Sequence, residues 1–442
     1  MNDKERFDEL ADPDILEKIV DCYSSKIVGE ENNIKLLWLA CISKDLPKEI
    51  RSSIIITSQS SAGKSTLVNT LLEPFREDVL DYTDITQAYF QRTTDNLNGK
   101  IFKIEQLEKT NEKKQVTMGS LKFSISEGRF SVGLVDKNEK GKNEPKKLEV
   151  LGRPVFITTS TNYNIDPETL NRTFLMQVDE SEVQTKKITS YLLKKYGSMN
   201  INDNWETNLE QLKRYSKSYK EMAHQIRDIA IPFWENLDQI IPTSSLTIRR
   251  DLPKILNLAC ILAFIHFPNR VKIANNEGEH FIQDSFGNSE LKYTYTLIVE
   301  PCDFKEALKI GSQTIKQTLN KLNQSSMDIY DKLKQLCSEN EKGVSIKEIA
   351  NATGYSINRA RELTNPLLGS GHASREKSET REFLYSPTEK KFENITTKDI
   401  IFTDEDLKEW IKNELGDNSD KFTVLYPKTE ILNRQFGNSV NI

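Results

Sequence analysis

The spacing of apolar residues divides the chain into an alternating first part and a mainly helical second part. Apolar positions at residues 10–45 and 65–72 follow helical spacing. Short apolar runs typical of buried strands occur at residues 52–57, 101–104, 121–135 and 148–158. Because strands and helices alternate, this part predicts an α/β layer built on a mostly parallel sheet.

The second part has helical spacing from about residue 185 to 265 and again from 303 to about 338. Residues 345–363 then predict a helix, a turn that contains glycine, and a second helix. A polar loop and the apolar strand at 383–385 follow, which is the order typical of a winged helix-turn-helix. The remaining residues are polar, with one acidic helical stretch at 404–414.

Composition narrows the possible function classes. The 442 residues hold 61 Lys and Arg against 66 Asp and Glu, a net charge of −5, which excludes a basic coat over the whole chain. The five cysteines lie far apart without a C-x-x-C pair, so we predict neither zinc nor a disulfide framework. The charged start lacks the apolar core of a signal peptide, and the longest apolar stretch, residues 255–267, is too short to span a bilayer. We expect a cytoplasmic protein without a membrane partner.

One motif carries specific chemistry. The sequence from Ser58 to Thr66, SQSSAGKST, follows a predicted strand and opens a predicted helix, which is the context of a phosphate-binding loop. Gly63 permits close approach of the backbone, Lys64 reaches the β- and γ-phosphates, and the Ser65 hydroxyl can bind Mg²⁺. Ser58 replaces the usual first glycine, and an ordinary Ser/Gly turn is the alternative. The predicted ligands are ATP and Mg²⁺, bound by Ser58, Ser60, Ser61, Ala62, Gly63, Lys64, Ser65 and Thr66.

A carboxylate at the end of a neighbouring strand should complete the metal site. Glu105 follows the strand at 101–104 and is the best candidate, although a strand-end carboxylate facing water is the alternative. The next residue, Gln106, cannot accept a proton, so hydrolysis should be slow if it occupies the position of the base. Either Gln106 replaces a glutamate in order to trap bound ATP, or the base is Glu105 or Glu108 in a shifted register.

These residues resemble AAA+ ATPases, and more narrowly the MCM-like helicases of viruses and mobile elements. The segment Ile27-Val28-Gly29-Glu-Glu is similar to the part that frames adenine in that family. Glu127-Gly-Arg, a Lys-rich loop and Gly152-Arg-Pro resemble the hairpin that these helicases insert before sensor 1. Asn162, with Thr159 and Thr161, stands where a polar sensor would touch the γ-phosphate or the attacking water.

Two arginines complete the resemblance. Leu170-Asn-Arg172-Thr-Phe is similar to the segment that holds the arginine finger, and Asp179-Glu-Ser-Glu follows it as in the mobile-element relatives. Ile248-Arg249-Arg250 resembles the sensor 2 arginine of the lid, although either arginine alone could be an ordinary surface residue. The resemblance implies a ring of six subunits, in which Arg172 reaches the γ-phosphate of the neighbour.

The residue pattern and the resemblance together predict the domain organisation. The predicted divisions are a helical segment with the AAA+ α/β core and the hairpin at about 121–158, a helical lid with sensor 2, a winged helix, and a polar tail, at residues 1–185, 186–324, 325–390 and 391–442. Because the P-loop strand begins near residue 52, we expect no DNA-binding or primase module before the core.

Two groups of basic residues are candidates for binding single-stranded DNA in the ring and for contacts with duplex DNA. The first is the Lys-rich hairpin loop, with Lys137, Lys140, Lys142, Lys146 and Lys147, although a charge run is often only a solvated loop. The second is the winged helix, whose second helix carries Arg359 and Arg361 and could instead bind protein.

The leading hypothesis is an ATP-dependent DNA helicase or translocase that acts as a ring-shaped oligomer in replication. The first alternative is an origin-binding initiator or helicase loader, which joins the same two domains. The second alternative is a nucleotide-gated DNA-binding regulator that hydrolyses little ATP, for which Gln106 is the motive.

Overall fold

The structure is a computed structural model. It describes residues 9–59, 62–82, 97–105, 128–137, 143–160, 169, 172–197, 204–241, 248–275, 280–283, 289–292, 295–320, 322, 324–339, 343–378, 382–390, 400–416 and 421–427. The helices are α1 (Ile15–Tyr23), α2 (Glu31–Ser43), α3 (Lys64–Leu72), α4 (Glu182–Gly197), α5 (Trp205–Ala223), α6 (Trp234–Ile240), α7 (Ile248–Ile265), α8 (Pro301–Asn320), α9 (Gln324–Glu339), α10 (Ile346–Thr353), α11 (Ile357–Gly369) and α12 (Asp404–Leu415).

The strands alternate with these helices in the first half and cluster between them in the second. They are β1 (Ser53–Thr57), β2 (Val79–Tyr82), β3 (Ile101–Ile104), β4 (Arg129–Lys137), β5 (Asn143–Leu151), β6 (Val155–Ser160), β7 (Thr173–Gln177), β8 (Ile226–Ala230), β9 (Lys272–Asn275), β10 (His280–Gln283), β11 (Ser289–Lys292), β12 (Tyr295–Ile298), β13 (Val344–Ser345), β14 (Ala373–Lys377), β15 (Phe383–Pro387) and β16 (Phe422–Leu425).

The chain forms two compact units. The first contains Met1–Ile240, Leu252–Ile310 and Thr397–Ile442, and the second contains Ile241–Asp251 and Gly311–Thr396. Among the described residues, no helix combines the length and the apolar character needed to cross a bilayer.

A five-stranded sheet is the centre of the first unit. Its strand order is β2-β3-β6-β1-β7, and each neighbouring pair is parallel. β1 is buried along its whole length, which its three consecutive isoleucines favour because β-branched side chains pack well on both faces of a sheet. This confirms the predicted α/β class with a parallel sheet. β2, which occupies an edge, was not among the strands predicted from the sequence.

A β-hairpin is inserted in the sequence between β3 and β6. β4 and β5 pair antiparallel from Arg129↔Leu151 to Lys137↔Asn143, and the Gly152 N–H donates to the Gly128 carbonyl at the base of the hairpin, 2.9 Å away. Gly152 has φ +107, and a Cβ there would lie 2.5 Å from the backbone nitrogen of Asn98. Glycine is therefore required where the hairpin leaves the sheet.

A second, mixed sheet lies in the part of the chain whose pattern predicted mainly helix. Its order is β16-β9-β12-β8, with β12 parallel to β8 and antiparallel to β9. These strands are short and pair over long sequence separations, so periodicity did not identify them. The acidic stretch forms α12 as predicted, and Leu407 and Ile411 of this helix are buried together with Val424 beside β9 and β12.

The second unit contains a three-stranded antiparallel sheet of order β13-β15-β14, packed with α9, α10 and α11. Ser345 caps α10 through a capping box with Glu348, and Gly354 ends that helix at φ 72. Ser356 caps α11, which therefore begins after a short turn. The observed order is two helices joined by a turn and followed by a β-hairpin.

A buried ion pair joins the residues just before β9 to the start of α8. The Arg270 Nε and Nη2 donate to the two Asp303 carboxylate oxygens at 2.8 and 2.6 Å, and Arg270 and Asp303 are 8% and 2% exposed. Asp303 Oδ2 also accepts from the Glu300 N–H. Because both charges are buried, removing one leaves the other uncompensated.

We expect Arg270→Met to lower the free energy of unfolding by about 3–5 kcal/mol, because Asp303 would remain buried without its partner. Urea denaturation monitored by circular dichroism measures this change. The matched control is Lys213→Met, which removes the exposed pair with Glu210 and should cost less than about 1 kcal/mol. Equal effects of the two substitutions would contradict the assigned role of the buried pair.

Candidate functional site

The phosphate-binding loop lies at the carboxyl edge of the central sheet. It follows β1, and Gly63 at φ +88 provides the left-handed residue from which α3 begins. The Leu67 N–H donates to the Gly63 carbonyl at 3.0 Å, so the first turn of the helix forms directly behind the loop. Ser65 and Thr66 are exposed in that turn. The amino terminus of α3 therefore faces the position that an anion would occupy.

The Lys64 side chain bonds back to the residues that begin the loop. Its ammonium donates to the Ser58 carbonyl at 2.7 Å, to the Ser58 hydroxyl at 2.9 Å and to the Gln59 carbonyl at 2.7 Å. These contacts use the three donors of a lysine, so a bound phosphate must replace at least one of them. The Ser58 hydroxyl, which stands where the motif usually has glycine, is the acceptor that this sequence adds. Burial lowers the pKa of Lys64, and the nearby Glu180 carboxylate opposes that effect.

Glu180 reaches the phosphate loop from the segment that follows β7. Its Oε1 accepts a hydrogen bond from the Gln59 N–H at 2.6 Å. β7 is the parallel neighbour of β1, and Thr57 is level with Gln177, so the two strands deliver their following residues to the same edge. The site therefore contains a carboxylate next to the loop that binds phosphate.

Val28 and Gly29 lie against the same segment. The Gln184 amide donates to the Val28 carbonyl, and Gly29, at φ +70, leaves no room for a Cβ because that atom would lie 2.6 Å from Gln184 Oε1. Glu30 accepts from the Asp179 N–H at 2.8 Å. Burial raises the pKa of the Glu30 carboxyl group, although this hydrogen bond acts in the opposite direction.

Asn33 adds a further link, because its amide donates to the Gln177 carbonyl at 2.8 Å. Residues 28–33 and 177–184 therefore form one connected region. The hydrogen bond between Glu180 and Gln59 connects this region to the phosphate loop. We call this region the β7 link. The structure brings the predicted residues Val28 and Gly29 into it.

Glu105 follows β3 and lies two strands away from β1. β6 stands between them, and Ile104, Thr158 and Ile55 are in register across the three strands. Neighbouring strands are about 4.8 Å apart, so the Glu105 backbone lies roughly 10 Å to the side of β1. The buried Lys103 ammonium is 3.2 Å from Glu105 Oε1 and 3.0 Å from Asp81 Oδ2.

Ser65 and Glu105 provide oxygen donors of the kind that Mg²⁺ prefers, and both are accessible at the carboxyl edge. The Glu105 carboxylate is already paired with Lys103, so it fits a metal only as one ligand among phosphate oxygens and waters. In the described part of the chain, there is no group of three or more His, Cys, Asp or Glu side chains that could hold a metal ion.

Arg172 lies at the amino-terminal ends of the strands, whereas the phosphate loop lies at their carboxyl ends. It immediately precedes β7, whose first residue Thr173 is level with Ser53 at the start of β1. The strand rises about 3.3 Å per residue, so its five residues separate Arg172 from the phosphate-loop edge by roughly 15 Å. Arg172 therefore does not belong to the phosphate site of its own chain. Arg249 is exposed in the first turn of α7.

Three of the five predicted hairpin lysines and both predicted winged-helix arginines have described backbone positions. Lys137 ends β4, and Lys146 and Lys147 are on β5, level with Leu134 and Gly133. Arg361 is exposed on α11, whereas Arg359 on the same helix pairs with Glu362 at 3.2 Å. Several predicted residues lie outside the described residues: Ser60, Ser61, Gln106, Lys140, Lys142 and Asn162.

Comparison with known proteins identifies the loop. Residues 1–221, half of the chain, match the family described as MTBMA_p00010 P-loop domain. The chain belongs to this P-loop domain family. A P-loop domain implies nucleotide binding, typically with Mg²⁺. No curated protein matches the chain.

Solved structures give a weaker similarity. The crystal structure of a full-length MCM homolog from Methanopyrus kandleri is 14% identical, with 72% of this chain and 62% of that chain covered and a TM-score of 0.38. This chain therefore spans less than two thirds of that protein. A "putative ATPase" from Cytophaga hutchinsonii is 10% identical, with 69% and 87% covered and a TM-score of 0.37. Because both TM-scores are low, neither structure carries an argument about this chain.

Two residues of the P-loop site were not predicted from the sequence. Glu180 lies 116 residues after Lys64 along the chain, and its position beside the loop depends on the pairing of β7 with β1. Lys103 interrupts the apolar strand β3, and a lysine within a buried strand is a signal from which an acidic partner could have been predicted. Both roles depend on neighbours that periodicity does not identify.

We expect Glu180→Gln to tighten the binding of a nonhydrolysable ATP analogue by about two- to threefold. The amide oxygen still accepts from the Gln59 N–H, while the negative charge that repels the phosphates is gone. Isothermal titration calorimetry measures the affinity. Glu182→Gln removes an exposed charge two residues away and serves as the control. Weaker binding by Glu180→Gln would show that its charge assists the nucleotide.

Proposed function

We propose that the chain is an ATP-driven DNA translocase of the MCM-like AAA+ type, which acts as a ring-shaped oligomer in DNA replication. The observation that carries this proposal is that the P-loop and Arg172 lie at opposite ends of two neighbouring parallel strands, β1 and β7. A guanidinium in this position serves the nucleotide of a neighbouring copy rather than its own.

The chemistry begins at the P-loop. In the proposed complex, the backbone of residues 60–66 surrounds the β- and γ-phosphates, and Lys64 exchanges its bond to the Ser58 hydroxyl for a phosphate oxygen. Ser65 and Glu105 would hold Mg²⁺, which would neutralise phosphate charge when it is bound. Asn162 would orient the attacking water after β6.

Hydrolysis would require a second subunit. A head-to-tail contact places Arg172 of one copy near the phosphates of the next, and such a contact closes into a ring of six in our proposal. An arginine in this role neutralises transition-state charge and contributes about 10³–10⁵ in rate. The sequence resemblance implies a sensor 2 role for Arg249. An amide at Gln106 would slow the reaction if it occupies the position of the base.

DNA would bind in the centre of the ring. The β4–β5 hairpin carries Lys137, Lys146 and Lys147 in an otherwise acidic chain, and six hairpins would form a basic path along a phosphate backbone. The helix-turn-helix order of α10 and α11, followed by the β14–β15 hairpin, supports a winged helix. Its exposed Arg361 would then contact duplex DNA.

Subunit complementation tests the shared nucleotide site. We expect Lys64→Ala and Arg172→Ala each to abolish ATP hydrolysis, because one loses phosphate binding and the other loses charge stabilisation. A 1:1 mixture should regain activity at roughly a quarter of its interfaces, where an intact loop meets an intact arginine from another subunit. A coupled phosphate-release assay with single-stranded DNA measures the rates.

The control for this experiment is Arg153→Ala, which removes a half-buried arginine outside the proposed contact, and its mixture with Lys64→Ala should follow simple dilution. A mixture of Lys64→Ala and Arg172→Ala that stays inactive, although both variants assemble, would contradict a shared site.

The hairpin lysines supply a separate prediction for DNA. Replacing Lys140, Lys142, Lys146 and Lys147 by alanine should remove most of the stimulation of ATP hydrolysis by DNA, because phosphate contacts dominate nonspecific affinity. Binding of the ATP analogue should remain unchanged. Fluorescence anisotropy with labelled single-stranded DNA, measured over a range of salt concentrations, gives the affinity. Unchanged stimulation by DNA would remove the hairpin from the proposed path.

A further inference from the structure

α4 presents an unusual concentration of exposed apolar side chains. Among the large hydrophobic residues that are exposed in the described part of the chain, five of nine lie on this one helix. Ile188, Leu192 and Tyr196 are 37%, 44% and 87% exposed, and they follow one another at intervals of four residues along one stripe. Leu193, 69% exposed, lies beside them. Contiguous apolar surface of this kind marks an interaction site.

The other side of α4 explains how the helix is held. Gln184 and Tyr191 are seven residues apart and therefore share a face. The Gln184 amide donates to the Val28 carbonyl, and the Tyr191 hydroxyl donates to the Ser25 carbonyl at 2.8 Å. Gln184 is the one buried residue of the helix. The helix is thus anchored along a narrow line, and most of its surface remains open.

The charge of α4 restricts the kind of partner. The helix contains four lysines and one glutamate, and all five are exposed. We call the exposed side of α4 the basic apolar face, which comprises Ile188, Leu192, Leu193 and Tyr196, flanked by Lys186 and Lys195. A partner for this face must offer apolar side chains surrounded by carboxylates.

The same unit of the chain carries such a surface. Trp234 and Ile401 are 56% and 73% exposed. Their segments are in contact, since the Phe233 and Phe402 rings are 5.8 Å apart and the Asn236 amide donates to the Ile401 carbonyl at 3.2 Å.

Carboxylates surround these two side chains. Residues 234–240 and 401–406 include five acidic residues and no basic residue. The acidic apolar patch therefore comprises Trp234, Glu235, Asp238, Ile401, Asp404, Glu405 and Asp406, all exposed. Aromatic and aliphatic residues inside a charged rim are typical of a protein interface.

We propose that the basic apolar face of one copy binds the acidic apolar patch of a second copy. The two surfaces have opposite charge, each has an exposed apolar centre, and they lie on different elements of the same unit. A contact between two different surfaces is head-to-tail, so a pair of subunits keeps one free copy of each surface and can add further subunits. The inference deepens the proposed function, because it names the surfaces through which the ring assembles.

A capping experiment tests this pairing. One variant carries Leu192→Asp and Leu193→Asp in the basic apolar face, and the other carries Ile401→Lys and Glu405→Lys in the acidic apolar patch. Sedimentation velocity, with and without a nonhydrolysable ATP analogue, should show that self-association of each variant alone is at least about 30-fold weaker than that of the unaltered chain. A 1:1 mixture should give a species of two subunits, because only one intact contact remains.

The matched control is Ser190→Asp, which adds a charge to an exposed position of α4 outside the apolar stripe and should leave assembly unchanged. Circular dichroism of each variant confirms that it is folded. Variants that assemble like the unaltered chain, or a mixture that remains monomeric, would overturn the pairing. Binding of the unaltered monomer to vesicles of phosphatidylglycerol and phosphatidylcholine, lost in the α4 variant, would overturn it in favour of a membrane surface.

The outcomes separate this inference from the proposed function. If the unaltered chain hydrolyses ATP in an oligomer that the variants do not weaken, the pairing fails and the proposed function stands. If the mixture forms two-subunit species but the unaltered oligomer hydrolyses no ATP with DNA present, the pairing stands and the proposed function fails. A chain that is monomeric under all these conditions contradicts both.

Discussion

Three hydrogen bonds from the Lys64 ammonium join the start of α3 to the end of β1, and the rest of the site is arranged around that contact. Lys64 can reach the Ser58 and Gln59 carbonyls only because β1 ends at the carboxyl edge of a parallel sheet and α3 begins at Gly63. The buried isoleucines of β1 fix the height of this edge, since the strand is covered on both faces.

The β7 link holds residues 28–33 and 177–184 together beside the loop. Within it, the Asn33 amide donates to the Gln177 carbonyl and Glu30 accepts from the Asp179 N–H, while Glu180 accepts from the loop at Gln59. Glu180 and Lys64 are close enough for the carboxylate to oppose the lowered pKa of the ammonium. A bound triphosphate would add negative charge beside the Glu180 carboxylate. The interaction of Glu180 with the loop would therefore be weaker when nucleotide is bound.

α4 begins at Glu182, only two residues after Glu180. The helix that carries the basic apolar face is therefore continuous with the segment that touches the phosphate loop. In the proposed ring, this continuity would couple the occupancy of one loop to a contact between subunits, and Arg172 at the other end of β7 would couple the same strand to the neighbouring nucleotide. One strand and its two flanking segments would then serve both assembly and catalysis.

The sequence alone determined the parts of this protein that depend on neighbours along the chain. The phosphate loop, its helix and the strand before it lie within about 20 consecutive residues, so their chemistry was evident from SQSSAGKST and the pattern around it. The parallel α/β class followed for the same reason. The strand order, the second sheet, the partners of Glu180 and Lys103, and the exposure of α4 were decided only by the tertiary structure. Each of these depends on which distant strands pair and in which register, and the apolar period of a helix is the same whether its face meets a core or remains open.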